Sequence, residues 1–225
     1  MTAADGCAGE SMSGSGNGAG RPRLRFVLAT ANRDKANEIL AILTAELGDA
    51  VELVARPEHV PEVEETGTTL EENARLKARA LLEATSVAAV ADDTGLEVDA
   101  LGGAPGVYSS RYSGEHATYA QNVAKLLTEL AAAGATAPEQ RRARFRTVAV
   151  ARFPSGREVV AEGKVEGTIA PEARGESGFG YDPVFVPDGG DGRTFAEMTS
   201  AEKHSQSHRG RAFRALAVGL RSAEA

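Results

Sequence analysis

The chain of 225 residues has one cysteine, no tryptophan and only 5% aromatic residues. A single thiol, Cys7, can build neither a disulfide framework nor a cysteine-based zinc site within one chain. There is no run of about 18 apolar residues, so no transmembrane helix and no membrane partner are expected. Positive charge is also short: 25 Lys and Arg stand against 32 Asp and Glu, a formal net charge of −7. A nucleic-acid polymer demands a net basic surface and is therefore excluded as main partner, whereas a single nucleotide needs only a few local cations. Residues 1–20 lack the apolar core of a signal peptide. They are rich in Gly, Ser and Ala, a composition that cannot bury enough surface to order itself. The expectations are a disordered tail over residues 1–23, a single domain over 24–225 and, from the lone cysteine, a reducing cytoplasmic setting.

What the chain does have is organised around the stretch Val87 to Tyr112. Its apolar run Val87–Ala91 delivers two consecutive carboxylates, Asp92 and Asp93, onto an expected turn at Thr94–Gly95. A short uncharged run of this kind reads as a strand covered on both faces, usual in α/β proteins, whose ligand sites lie just beyond the strand ends. A second run, Leu96–Ala100, alternates apolar and acidic residues like a half-exposed strand.

Upstream, Arg25–Thr30 reads as a strand, and a helix follows with Ala36, Ile39, Leu40, Leu43 and Leu47 on one face. Asn32 and Lys35 stand at its entrance, where free backbone N–H groups and a cation suit a phosphate. No G-x-x-x-x-G-K pattern is present, so this is not a Walker A loop. Val51–Val54 reads as a further strand. Thr69 and Glu72 form a capping box, opening a helix whose stripe is Leu70, Ala74, Ala78, Leu81 and Leu82. Lys77 falls inside that stripe, with Asn73 on its border. It either snorkels to water or reaches an anion in a cleft.

Downstream, a helix is expected over His116–Ala133, with Tyr119, Val123, Leu126, Leu127 and Leu130 inside. Ala143–Phe153 alternates as a strand and turns at Pro154-Ser155-Gly156 into a second one near Val159–Ala161. Arg141, Arg142, Arg144 and Arg146 read as a solvated strand face. Residues 170–198 are loop-like and hold Phe179, Tyr181, Phe185 and Phe195. Phe179, between Gly178 and Gly180, is either a stacking platform for a base or a plug in the core. Ser207 caps a last helix, placing His208 and Arg209 at its entrance. Two cations set against the helix dipole point to a compensating ligand.

Acids at Glu65, Asp92 and Asp93, with few histidines and no useful thiol, form an oxygen-only set that suits Mg²⁺. Lys35, Lys77, Lys203 and Arg209 are available to neutralise a triphosphate. No Ser–His–Asp motif is present. The residues alone therefore point to Mg²⁺-dependent phosphoryl or nucleotidyl chemistry.

Four stretches in this order, LATANRDK, EETGTTLEENARLKA, ADDTGLEVDALGGAPGVYSSRY and GFGYDPVF…TFAEM…EKHSQSHRGRA, resemble the inosine/xanthosine triphosphate pyrophosphatases, over about residues 24–221. The resemblance implies an elongated, two-lobed α/β fold around a long mixed sheet flanked by helices, and a homodimer. It implies Mg²⁺-dependent hydrolysis of ITP, dITP and XTP to the monophosphate and pyrophosphate. By position, Thr30, Ala31, Asn32, Arg33, Asp34 and Lys35 would hold the triphosphate, with Lys77 neutralising its charge. Glu65 and Asp93 would bind the metal, Asp93 would also act as general base, and Thr94 would touch substrate. Phe179 would stack on the base, Gly180, Tyr181 and Asp182 would shape its pocket, and Lys203, His208 and Arg209 would read its edge. Ala31, Thr94 and Ser177 replace the Gly, Ser and Gly usual in this family.

Overall fold

The computed structural model describes residues 23–222. The expected tail therefore lies, apart from Arg23, outside the described residues. Among the described residues, five α-helices and one mixed seven-stranded sheet make up the α/β fold that was expected. Strand β1 (Leu24–Leu28) pairs in parallel with β2 (Val51–Val54) and with β3 (Ala89–Val98). Beyond β3 every pairing is antiparallel: β5 (Arg142–Arg152), β6 (Glu158–Ile169) and β7 (Phe185–Pro187) follow in that order. A two-residue strand, β4 (Pro105–Gly106), pairs with the far end of β3.

The parity of a strand decides which core each residue joins. Ala89 and Ala91 face one side, with Val27, Ala29, Val148 and Val150, against helix α2 (Leu70–Thr85). Val90 faces the other, with Phe26, Leu28, Ala149 and Ala151, against α1 (Arg33–Leu47) and α5 (His208–Ser222). A third core, with Leu96, Val98, Phe145, Phe185 and Phe195, packs under α3 (Tyr119–Ala132). A short helix, α4 (Ser200–Gln206), leads into α5.

Several expectations are corrected. No turn occurs at Thr94–Gly95, because β5 pairs with β3 along its whole length, from Ala89↔Arg152 to Val98↔Ala143. Gly95 serves a close approach instead: a Cβ there would lie 2.6 Å from the carbonyl oxygen of Gly106 on β4. Asp92 and Asp93 thus sit mid-strand, not at a strand end. In α1 the buried stripe is Glu38, Ile39, Ile42 and Leu43, and Leu40 is 46% exposed. Helix α3 begins only at Tyr119, capped by Thr118, so Tyr119 projects past the core and is 41% exposed. Arg141 is not on a solvated face. It is buried and donates to the carbonyls of Ala135, Ile169 and Ala170. Arg144 and Arg146 do lie outward, paired with Glu97, Asp99, Glu162 and Glu166. Among the described residues no helix is long and apolar enough to cross a membrane.

Candidate active site

The site lies where β1 stops and β3 runs on. The chain leaves the sheet at Ala29, whose N–H still bonds the Val90 carbonyl at 2.8 Å, so the 29–32 loop lies beside Asp92 and Asp93. Asn32 caps α1, its side chain accepting from the Lys35 N–H at 3.0 Å. A cavity of about 660 Å³ opens there, lined by Thr30, Ala31, Asn32, Lys35, Glu65, Lys77, Asp93, Thr94 and Arg111, among others. Asn32, Lys35, Thr94 and Ser110 also line a second, smaller cavity of about 80 Å³, with Tyr119, Phe179, Gly180, Tyr181, Asp182, Lys203, His208 and Arg209. The two cavities are therefore the two ends of one cleft.

Consecutive carboxylates on a strand must point to opposite faces. Asp93 points to the α2 side, where Lys77 donates to it at 2.8 Å and to Glu65 at 3.0 Å. Asn73 also reaches Asp93, at 3.3 Å. Arg111 holds the other oxygen of Glu65 at 2.8 Å. Lys77 is therefore a buried cation bound by two acids, not a snorkelling one. Burial pushes the Asp93 carboxyl up, and the nearby Glu65 charge adds to this against the opposing pull of Lys77 and Lys35. Burial acts the same way on Glu65, but Lys77 and Arg111 outweigh it and hold that carboxyl low.

Asp92 points to the α1/α5 side. Arg209 donates to it at 3.3 Å, the Thr94 hydroxyl at 3.1 Å, and Lys35 lies at 3.7 Å. Burial alone would raise its pKa, yet Lys35, Arg209 and Lys77 together hold the carboxyl well below the usual range. Arg209 spends its other nitrogens on Glu38, at 2.5 Å, and on the Thr94 hydroxyl, at 3.1 Å. Glu38 also accepts from Lys203 at 2.7 Å, and Lys203 donates to Asp182 at 2.5 Å. Three cations, Lys35, Lys203 and Arg209, thus meet three anions, Glu38, Asp92 and Asp182.

This overturns the reading of the α5 entrance. The Ser207 hydroxyl accepts from the Gly210 N–H at 3.0 Å and caps the helix as expected. The Asp92 and Glu38 carboxylates compensate Arg209. His208 is not a cation: burial, with Arg209 and Lys203 close by, drives its pKa well below 6.5. It stacks on Phe145 with ring centroids 4.3 Å apart, and its buried Nδ1 has no partner. The approach of α5 is set by Gly163 on β6, where a Cβ would come within 2.1 Å of the His208 carbonyl oxygen. The four aromatics of the 170–198 segment divide: Tyr181, Phe185 and Phe195 are core plugs, while half-buried Phe179 lines the cleft. Lys203 lies 4.8 Å from the Phe179 ring centre. Gly178 keeps that loop tight, since its φ is +74° and a Cβ would lie 2.2 Å from Asp182 Oδ2.

Of the residues singled out from the sequence, Arg33 and Asp34 are exposed and line neither cavity. Asp34 accepts instead from the Tyr119 hydroxyl at 3.3 Å. Arg111, which holds Glu65, was missed, and so was Glu38. The helix-phase test that found Lys77 would have found it too, because an acid three residues after Lys35 and four before Ile42 lies inside the buried stripe.

A mixed α/β sheet with a cleft at the end of a parallel strand, acids and lysines at one end and an aromatic wall at the other, defines a nucleotide-type site. The chain belongs to the Ham1 family, whose model matches residues 26–218. It is 52% identical over 197 residues to a dITP/XTP pyrophosphatase of Nitratidesulfovibrio vulgaris, covering 85% of this chain and 93% of that one. It is 48% identical over 200 residues to a dITP/XTP pyrophosphatase of Streptomyces coelicolor, covering 88% and 97%. Among solved structures, a HAM1 protein from Coxiella burnetii is similar with a TM-score of 0.78 and 40% identity, covering 88% of this chain and 99% of that one.

Proposed function

We propose that the chain hydrolyses noncanonical purine nucleoside triphosphates, ITP, dITP and XTP, to the monophosphate and pyrophosphate. The observation that carries this reading is the triad of half-buried Glu65 with buried Lys77 and Asp93 at one end of a cleft whose other end holds Phe179 and His208. In this reading Asn32 and Lys35 take phosphate oxygens at the entrance of α1. Asp93, at the phosphate end of the cleft, accepts a proton from the attacking water. The water oxygen bonds the α-phosphorus, the α–β bridging bond breaks, and pyrophosphate leaves.

The donor set fits a hard divalent cation such as Mg²⁺. Glu65 and Asp93 offer oxygen only and converge on one cationic point, taken here by the Lys77 ammonium. Among the described residues no group of three or more His, Cys, Asp or Glu converges as a metal cluster. Two protein carboxylates would therefore share the ion with phosphate and water, the usual pattern for Mg²⁺ in phosphate chemistry. Bound there, the ion would neutralise charge on the phosphates, and Lys77 would be released toward them.

For base choice, Arg209 has each guanidinium nitrogen engaged, so His208 is the better reader of the edge. Its neutral ring has one N–H, and the unpartnered Nδ1 would offer that proton to the C6 oxo group of hypoxanthine or xanthine. Adenine, with an amino group there, would leave the donor unpaired at a cost of about 1–3 kcal/mol. The domain over 24–225, a homodimer and a cytoplasmic location complete the reading. A panel of ITP, XTP, dUTP, GTP and ATP, with Mg²⁺ and with chelator, tests it. Pyrophosphate released from ITP and XTP is expected; turnover of dUTP with none of ITP would sink the reading.

A further inference from the structure

The base end of the cleft is shut. At about 80 Å³ it falls far below the roughly 300–1,000 Å³ of sites that hold drug-sized ligands. What fills the space is Tyr119, the first residue of α3. Its ring lies 5.8 Å from Phe179, tilted by 41°. A base stacked between two rings needs about 7 Å, twice the contact distance of roughly 3.5 Å, so nothing fits between them here. The hydroxyl of Tyr119 is held from the opposite side of the cleft: Asn32 Nδ2 donates to it at 2.9 Å and it donates to Asp34 at 3.3 Å. Helix α3 belongs to one core and α1 to another, so this contact bridges the cleft mouth. A tyrosine 41% exposed, with both hydrogen bonds at the surface, can swing outward at little cost.

Resting on the nucleotide reading above, we propose that Tyr119 is the second aromatic wall of the base site, closed against Phe179 until a purine enters between them. Entry moves the ring outward by about 1 Å, to the spacing of two stacked contacts, and turns it toward parallel. The hydroxyl then leaves Asn32, freeing that amide for the phosphate end of the same ligand. Tyr119 is thus a binding residue that couples the two ends of the cleft.

The test compares Tyr119→Ala and Tyr119→Phe with the wild-type chain. Calorimetry measures binding of an inosine triphosphate analogue with a non-hydrolysable α,β-methylene bridge, and of inorganic tripolyphosphate, which has no base. Loss of one stacking ring should weaken the analogue roughly tenfold in Tyr119→Ala, while tripolyphosphate binding holds or tightens because Asn32 is already free. Tyr119→Phe keeps the wall and loses the latch, so it should bind the analogue at least as tightly as wild type. In turnover of ITP, the loss in Tyr119→Ala should read in KM, not kcat. Equal weakening of both ligands in Tyr119→Ala, or analogue binding unchanged by it, overturns the proposal. Wild-type protein that binds tripolyphosphate but not the inosine analogue overturns the substrate reading, and this proposal with it.

Discussion

Glu38 is where the geometry makes its sharpest demand. Its carboxylate, with a side chain 11% exposed, is the one anion shared by Lys203 and Arg209. Changing Glu38→Gln keeps the shape and removes the charge, leaving three cations, two of them buried, against two anions. Breaking a buried ion pair by deleting one partner costs about 3–5 kcal/mol. Lys203 keeps Asp182 at 2.5 Å and Arg209 keeps Asp92 at 3.3 Å, which places the expected cost near the lower end, ~3 kcal/mol. For a domain of this size each kcal/mol moves Tm by about 2–4 °C. Thermal unfolding followed by circular dichroism should therefore show a drop of roughly 6–12 °C. Glu38→Asp, which restores charge on a shorter arm, should recover part of it. A Glu38→Gln melt within about 2 °C of wild type, less than a single kcal/mol on this scale, would refute the claim that this carboxylate neutralises the two cations.

Three further outcomes are expected. Asp93→Asn should abolish pyrophosphate release while leaving the melting temperature near wild type. The reason is that burial already disfavours the ionised carboxyl, and Lys77 retains Glu65. For His208 the folded pKa lies well below the unfolded 6.5, so the unfolded chain takes up the proton first as pH falls. Stability should be flat in this residue's contribution above pH 6.5 and fall below it, by up to about 1.4 kcal/mol per pH unit. Urea unfolding at pH 7 and pH 5.5 should show this slope, and His208→Phe should flatten it; half-buried His204, shifted the same way, contributes a smaller part. Gly163→Ala forces a methyl to within 2.3 Å of the Ala212 amide and should cost about 1–3 kcal/mol by pushing α5 off β6. A chevron or equilibrium melt matching wild type would show that the helix has room to move.

Much of the local structure around the site is legible in the sequence. The capping box at Thr69 and Glu72, the Lys77 phase and the Ser207 cap are local properties, fixed by hydrogen bonds within one turn or by a 100° step. Each appears where the residues place it. The turn at Thr94–Gly95 misled because Thr-Gly is ordinary turn chemistry, and the strand is held straight only by ten rungs to β5, fifty residues away.

The resemblance of four ordered motifs to the pyrophosphatases was likewise a property of the chain, and the family match agrees with it. Sequence alone thus determined the element types, the α/β class and the inventory of acids, lysines and aromatic ring. Tertiary structure decided how those charges are shared. Alternation sent Asp92 to Arg209 and Asp93 to Lys77. It also made His208 neutral, brought Tyr119 to the cleft, and joined Glu38 to Lys203 and Arg209. A side chain's periodicity tells which face it takes. Its charge state and its partner depend on burial and on groups up to 171 positions away, as Glu38 and Arg209 are.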